Sequence, residues 1–195
     1  MTFLITTILP GSEATQISLR LLRHRDRAAW NRVRRENHEW LTPWEATRPE
    51  IESHIPLPSF REMVATAKRE AKNLRTLSLG IWIKEGQGAE RFVGQITLGG
   101  IVFGAHRGGY IGYWVDRRVA GRGIVTESVI ALTEYAFNEL SLHRIEINMR
   151  PENSASQRVA EKAGYTFEGM RSRYLHIDGD WRDHMIFVQE NPAIK

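Results

Sequence analysis

Ile17, Leu19 and Leu21 alternate with polar neighbours, the pattern of a half-buried strand. Asp26 then stands where it can cap a helix bearing Ala29, Trp30 and Val33 at helical spacing. The other face of that helix is basic, with Arg27, Arg34 and Arg35 following Arg20, Arg23 and Arg25. Ser59 and Glu62 form a capping-box pattern ahead of Phe60, Met63, Val64, Ala67 and Ala71, which predicts a second helix. The stretch between the helices, 38–58, is dense in Trp and Pro. From Thr76 the period returns to two: Leu77, Leu79, Ile81 and Ile83, a turn through 86–88 and a return run over 92–98 predict a hairpin. A third run, 110–116, ends in an Arg- and Gly-rich loop, 117–123, and a helix is predicted over 126–140 from Val129, Leu132, Ala136, Phe137 and Leu140. Residues 144–149 alternate again, and 151–156 lead into a short helix carrying Ala155, Val159 and Ala160, closed by Gly164 as a left-handed cap. A terminal hairpin follows: 171–177, the turn Asp178-Gly179-Asp180, and 181–189. The order is strand, two helices, three strands, helix, strand, helix, two strands. It predicts an α/β fold of the mixed α+β kind, one mixed sheet with helices on its faces.

Composition narrows the function. The 195 residues show no repeat or linker, so a single domain over 1–195 is expected. With 42% hydrophobic and 26% charged residues the chain is globular and not generally disordered. Lys+Arg 27 against Asp+Glu 23 gives a net +4, which suits an anionic ligand or partner. The absence of cysteine excludes disulfides, thiolate nucleophiles and cysteine-ligated metal, and fits a reducing compartment. Seven scattered histidines form no helical ligand pair, so no metal site is expected. No apolar run approaches the ~18 residues of a membrane span. The short apolar stretch 3–9 lacks the basic flank of a signal peptide, and a cytoplasmic location is expected.

The most informative segment is the loop between the third run and the long helix. Glycines admit close backbone approach and a helix N-terminus carries partial positive charge. Gly121, Arg122, Gly123 and Ile124 can therefore cradle a pyrophosphate through their N–H groups, with Arg117, Arg118 and Arg122 beside it. No Gly-Lys-Ser/Thr follows and the third glycine of a dinucleotide fingerprint is missing, so neither ATP nor NAD is indicated. A tight surface turn with solvated arginines is the plain alternative.

This loop resembles the R/Q-x-x-G-x-G/A acetyl-CoA signature of the GNAT acyltransferases. Ile145-Glu146-Ile147-Asn148, Arg150-Pro151-Glu152-Asn153-Ser154-Ala155-Ser156, Glu161-Lys162-Ala163-Gly164-Tyr165, Glu168-Gly169 and 174–184 follow in the same order, and Leu41-Thr42-Pro43-Trp44-Glu45 precedes them. Together they are similar to the branch of bacterial ribosomal-protein-alanine N-acetyltransferases over nearly the whole chain. The resemblance implies a mostly antiparallel sheet in which the strands 110–116 and 144–149 run parallel and splay apart to admit pantetheine. Main-chain groups around Trp114 and Val115 would pair with the pantetheine amides, and Asn153 would contact that arm. Ser156 would donate a hydrogen bond to the departing thiolate. Asn153 and Ser154 also suit a simple helix cap. Tyr165 and Tyr174 are further candidate proton donors, though an aromatic beside a hydrophobic strand is more often core.

The base is open among Glu45, Glu146 and Asp178. Glu45 is favoured because its Trp-flanked segment should border the acceptor, with Trp40, Trp44 and Tyr174 on the acceptor side. Arg173 stands where some relatives carry a glutamate base. An α-amine with pKa about 7.8 reaches its neutral form at little cost near neutral pH, so a weak base points to N-terminal amines. With no cysteine and no Ser-His-Asp motif, direct transfer from acetyl-CoA is expected.

The resemblance implies a protein N-terminus as acceptor, with ribosomal proteins among the candidates. The alternatives are a small amine (a polyamine, an amino acid or an aminoglycoside) held by Glu39, Glu45 and Glu52, or a non-catalytic RNA- or ribosome-binding module using the arginines of 20–35. The expected partners are thus acetyl-CoA and the acceptor, with no membrane, and the chain as monomer or homodimer.

Overall fold

The computed structural model describes residues 3–11, 15–52 and 54–194. Leu4–Ile8 (β1) pairs antiparallel with Thr15–Leu21 (β2), and β2 with Leu77–Glu85 (β3). Arg91–Val102 (β4) and Gly108–Val115 (β5) continue the antiparallel run. Arg144–Met149 (β6) joins β5 as the parallel pair, and Thr166–Ile177 (β7) and Asp180–Glu190 (β8) complete one eight-stranded sheet in the order β1-β2-β3-β4-β5-β6-β8-β7. The helices are Arg27–Glu36 (α1), His38–Leu41 (α2), Phe60–Lys72 (α3), Ile124–Asn138 (α4) and Ser154–Lys162 (α5).

The main core gathers Ile17, Leu19, Leu79, Ile81, Ile83, Ile96 and Leu98 from the strands under Val129, Leu132 and Ala136 of α4, all fully buried. A second cluster, Leu22, Val33, Val64, Trp82 and Phe92, seats α1 and α3. The α3 cap forms as its sequence dictates: Ser59 Oγ accepts from the Glu62 N–H at 3.3 Å and the Glu62 carboxylate accepts from the Ser59 N–H at 2.8 Å. At the end of α5, Gly164 adopts φ +85° while its N–H reaches the Glu161 carbonyl and that of Tyr165 reaches the Ala160 carbonyl, a Schellman closure.

Four local expectations change. Residues 3–9, read only for targeting, supply the edge strand β1, with Phe3 buried beside it. Strand β7 begins at Thr166 instead of 171, because its first half runs along the sheet edge with Phe167 and Met170 exposed and shows no clean alternation. Helix α4 begins at Ile124, directly after Gly123. Asp26 precedes α1, yet its carboxylate turns back to accept from the Arg23 N–H and Arg20, both at 2.8 Å, and gives α1 no side-chain cap.

Candidate active site

The parallel pair β5 and β6 stays in register only at Gly108↔Arg144, Gly109↔Ile145 and Tyr110↔Glu146. Beyond Tyr110 the two strands part, and Ile111 to Val115 keep a hydrogen-bonding edge toward β6 that no strand among the described residues takes up. A cleft of about 1050 Å³ opens there, lined by Trp114 and Val115 of β5, by Gly121, Gly123 and Ile124 of the following loop, and by Asn153 and Ser156 of α5. A Cβ added at Gly112, which lines this space, would meet nothing within 4 Å. The missing side chain leaves the floor of the cleft open.

The loop between β5 and α4 is tied down by a buried carboxylate. Asp116, 1% exposed, accepts from the Arg118 backbone N–H at 3.0 Å, from the Arg118 guanidinium at 2.6 Å and from Asn37 Nδ2 at 3.3 Å. Asn37 Oδ1 in turn accepts from the Arg117 N–H at 2.8 Å, so the end of α1 positions the loop. Burial alone would push Asp116 up. The hydrogen bonds from Arg118 and Asn37, with the guanidinium charge, outweigh it and hold the carboxyl below its ordinary value. Gly121 at φ +76° and Gly123 at φ +83° then deliver the chain into α4, whose first N–H groups have no intrahelical acceptor.

The arginines of this loop do not all face the cleft. Arg118 is held by Asp116 and Glu36, and Arg122 by Glu85 at 2.5 Å. Arg117 lies with its guanidinium 5.6 Å from the Trp40 ring. Arg158 and Lys162, four residues apart on α5, line the cleft in their place. The sequence reading missed them, although their spacing puts both on one helix face.

Asn153 caps α5 by accepting from the Ser156 N–H at 3.0 Å, and it lines the cleft as well. Ser156 is 9% exposed, with its Oγ 2.8 Å from the Tyr113 hydroxyl. Burial pushes the Tyr113 phenol up to about 12 against the opposing pull of that hydrogen bond, so it keeps its proton. Nothing in the sequence singles out Tyr113, which reads as one more apolar strand residue. Tyr165 is a core residue, hydrogen-bonded to Thr133 at 2.6 Å and absent from the cleft wall.

The other end of the cleft is aromatic and charged. Trp40, Trp44 and Glu45 line it with Arg34, which forms an ion pair with Glu45 and sits 5.1 Å from the Trp114 ring. Residues 45–47 are strapped to the terminal hairpin by Thr47 N–H to His176 O at 2.9 Å, Asp178 N–H to Glu45 O at 3.1 Å and the bridge Ala46↔Ile177. A smaller cavity of about 210 Å³ lies where this strap, the hairpin and the parted strands meet. Trp44, Gly112, Tyr113, Asn153 and Ser156 border both spaces.

Tyr174 borders neither cavity and stacks edge-on against His184 at 5.8 Å. Glu146 is spanned by Arg144 and Arg171, and Asp178 turns the hairpin at φ +49°. Neither lines the cleft or the smaller cavity. Of Glu39, Glu45 and Glu52, Glu45 alone reaches the cleft. Arg20, counted among the basic surface residues, is largely buried against Asp26 and stacked 3.7 Å over Trp82. Among the described residues no group of three or more His, Asp or Glu is placed to hold a metal ion, and no helix is long and apolar enough to cross a membrane.

Comparison with known proteins agrees with this geometry. Residues 16–166 match the family "Acetyltransferase (GNAT) domain". The chain belongs to the GNAT acetyltransferases and is an N-acetyltransferase, and acetyl-CoA is the acetyl donor of that family. Within the family it is similar to the RimJ/RimL group. It shares 28% identity over 86% of its length, and 84% of the relative's, with the [Ribosomal protein uS5]-alanine N-acetyltransferase of Escherichia coli. It is 43% identical to the probable N-acetyltransferase YjcK of Bacillus subtilis over 53% of this chain and 57% of that one. The structure of Mycobacterium smegmatis RimJ in complex with CoA-disulfide has a TM-score of 0.80 and 33% identity, covering 99% of this chain and 88% of that one.

Proposed function

We propose that the enzyme transfers acetyl directly to the N-terminal α-amine of a protein, with ribosomal proteins the first class of acceptor to test. The observation that carries this reading is the gap between β5 and β6, which opens at one end onto the glycine loop ahead of α4 and at the other onto the Trp44–Glu45 strap. Bound acetyl-CoA supplies a thioester whose acyl carbon is open to attack. The N–H groups of Gly121, Arg122, Gly123 and Ile124 take the pyrophosphate at the N-terminus of α4, and Arg158 and Lys162 add positive charge. The unpaired edge of β5 at Trp114 and Val115 and the Asn153 side chain receive the pantetheine arm. With Tyr113 as the donor across the 2.8 Å to Ser156 Oγ, the Ser156 proton is free to meet the thiolate.

Trp40, Trp44 and Glu45 form the acceptor end, Glu45 fixed by Arg34. The cleft wall carries Arg34, Arg158 and Lys162 against Glu45 and Glu152, a balance that does not attract a polyamine. The similarity to the uS5-alanine enzyme supports a protein acceptor. Intact-mass spectrometry of purified ribosomal proteins, incubated with acetyl-CoA with and without the enzyme, tests the proposal. A gain of one acetyl at an N-terminus is expected; unchanged masses alongside acetylation of a small amine would replace it.

A further inference from the structure

We propose that His184 Nε2 accepts the proton of the acceptor amine, with Asn148 Oδ1 receiving a second N–H of the same nitrogen, an assignment that rests on the acetyltransferase reading. His184 lines the 210 Å³ cavity and is 2% exposed. Its Nδ1 lies 2.9 Å from the Arg182 carbonyl. A carbonyl only accepts, so the proton sits on Nδ1 and Nε2 keeps its lone pair. Among the described residues Nε2 makes no hydrogen bond.

Asn148 borders the same cavity, and its buried Oδ1 is likewise without a partner. An acceptor left bare and shielded from water costs about 1–3 kcal/mol unless a ligand satisfies it. The two residues share one sheet face: Asn148 pairs with Ile186 across the β6–β8 ladder, and His184 lies two positions before Ile186 on β8. Ser156 and Tyr113 border the cavity from the opposite side, through the gap between β5 and β6. Amine and leaving thiolate thus approach the acyl carbon from different sides of the sheet.

The charged and titratable groups around the ring are Arg150 on the β6–α5 connection, Glu152 beside it, Asp183 on β8, and Arg171 and Tyr174 on β7. Burial comes first in lowering His184, with Arg150 adding to it against the Arg182 hydrogen bond, Asp183 and Glu152, so the ring is neutral near pH 7. The step balances. The nitrogen lone pair forms the N–C bond, the C–S electron pair leaves with sulfur, the surplus N–H proton passes to Nε2, and the thiolate is met by the Ser156 hydroxyl. A nitrogen that has begun to bond the acyl carbon is far more acidic than a free ammonium, so a weak base suffices. Glu45, already spanned by Arg34, is not needed for this transfer.

The full chain and His184→Gln are compared with a pool of short peptides bearing free Ala, Ser, Thr, Gly or Met N-termini. Released CoA is read with an aromatic disulfide reagent, to which a protein without cysteine adds no background. The variant should lose about 10²–10⁴-fold in kcat, and the acidic limb of its pH profile should fall from two protons to the one of the peptide α-amine, with an unchanged melting shift on acetyl-CoA. In nitrogen-15 histidine spectra, the signal absent from the variant should show a protonated Nδ1 and a bare Nε2 at neutral pH and titrate below a free histidine. Retained activity with a two-proton acidic limb, or a proton on Nε2 at neutral pH, overturns the assignment. If acetyl-CoA stabilises the wild-type chain but no peptide is acetylated, the protein-acceptor reading fails and the spectrum alone decides the state of His184.

Discussion

Asp116→Asn removes one charge from the carboxylate that anchors the β5–α4 loop and leaves its shape. The amide oxygen, in the place of Oδ1, still accepts from the Arg118 N–H and Asn37, while its NH₂ faces the Arg118 guanidinium that the second oxygen held at 2.6 Å. Arg118 is 62% exposed, so its charge returns to water and the ion pair itself counts for little. The larger loss is the charge assistance in the hydrogen bonds that the buried anion accepts from the Arg118 N–H at 3.0 Å and Asn37 at 3.3 Å. Both lie on Oδ1 and pass from a charged to a neutral acceptor at about 1 kcal/mol each, so the sum is about 2 kcal/mol, or roughly 4–8 °C in Tm for a domain of this size.

The sign with pH follows from the lowered carboxyl. Asp116 contributes stability above the unfolded value near 3.9, and that contribution disappears as pH falls through its lower folded value. Urea unfolding of both proteins at neutral and strongly acidic pH should show the gap at the first and its collapse at the second. Equal stabilities at neutral pH, or a gap undiminished in acid, would refute this role for the anchor. The variant should also raise the KM for acetyl-CoA, since Asn37, which holds the Arg117 N–H, is then gripped by a neutral oxygen.

Ser156→Ala, which removes the group proposed to meet the thiolate, should lower kcat by about 10–100-fold while the acetyl-CoA melting shift is retained; Tyr113→Phe should show a smaller loss of the same kind. Gly112→Leu should fold, because its side chain enters open space, but should abolish acetylation by closing the floor that both cavities share. Wild-type turnover in the Gly112→Leu enzyme would show that the gap is not the reaction path.

The elements that sequence periodicity located are those with one buried face. The α3 box at Ser59 and Glu62, the β3–β4 hairpin and the Asp178-Gly179 turn each write their geometry into two or three neighbouring residues. Strand β1 and the first half of β7 lie on the sheet edges, where Leu4, Ile8, Phe167 and Met170 remain exposed and alternation carries no burial signal. The glycines of the loop were legible because φ near +80° demands them.

The destinations of the arginines were not. Asp116 and Glu36 take Arg118, and Glu85 takes Arg122 from a strand 37 positions away, so the charge in the cleft comes from Arg158 and Lys162 instead. Glu45 was placed by its tryptophan neighbours and does reach the cleft, while its partner Arg34 read only as part of a basic helix face. Tyr113 and His184 lie in strands whose hydrophobic character hides a polar group. Only the parting of β5 from β6 brings them to one space.

A structure of the full chain with CoA tests the central claim most directly. The pyrophosphate is expected on the N–H groups of Gly121 to Ile124, the pantetheine along the free edge of β5, and the sulfur within hydrogen-bond reach of Ser156 Oγ. CoA bound outside the β5–β6 gap, or a sulfur directed away from Ser156, would contradict it.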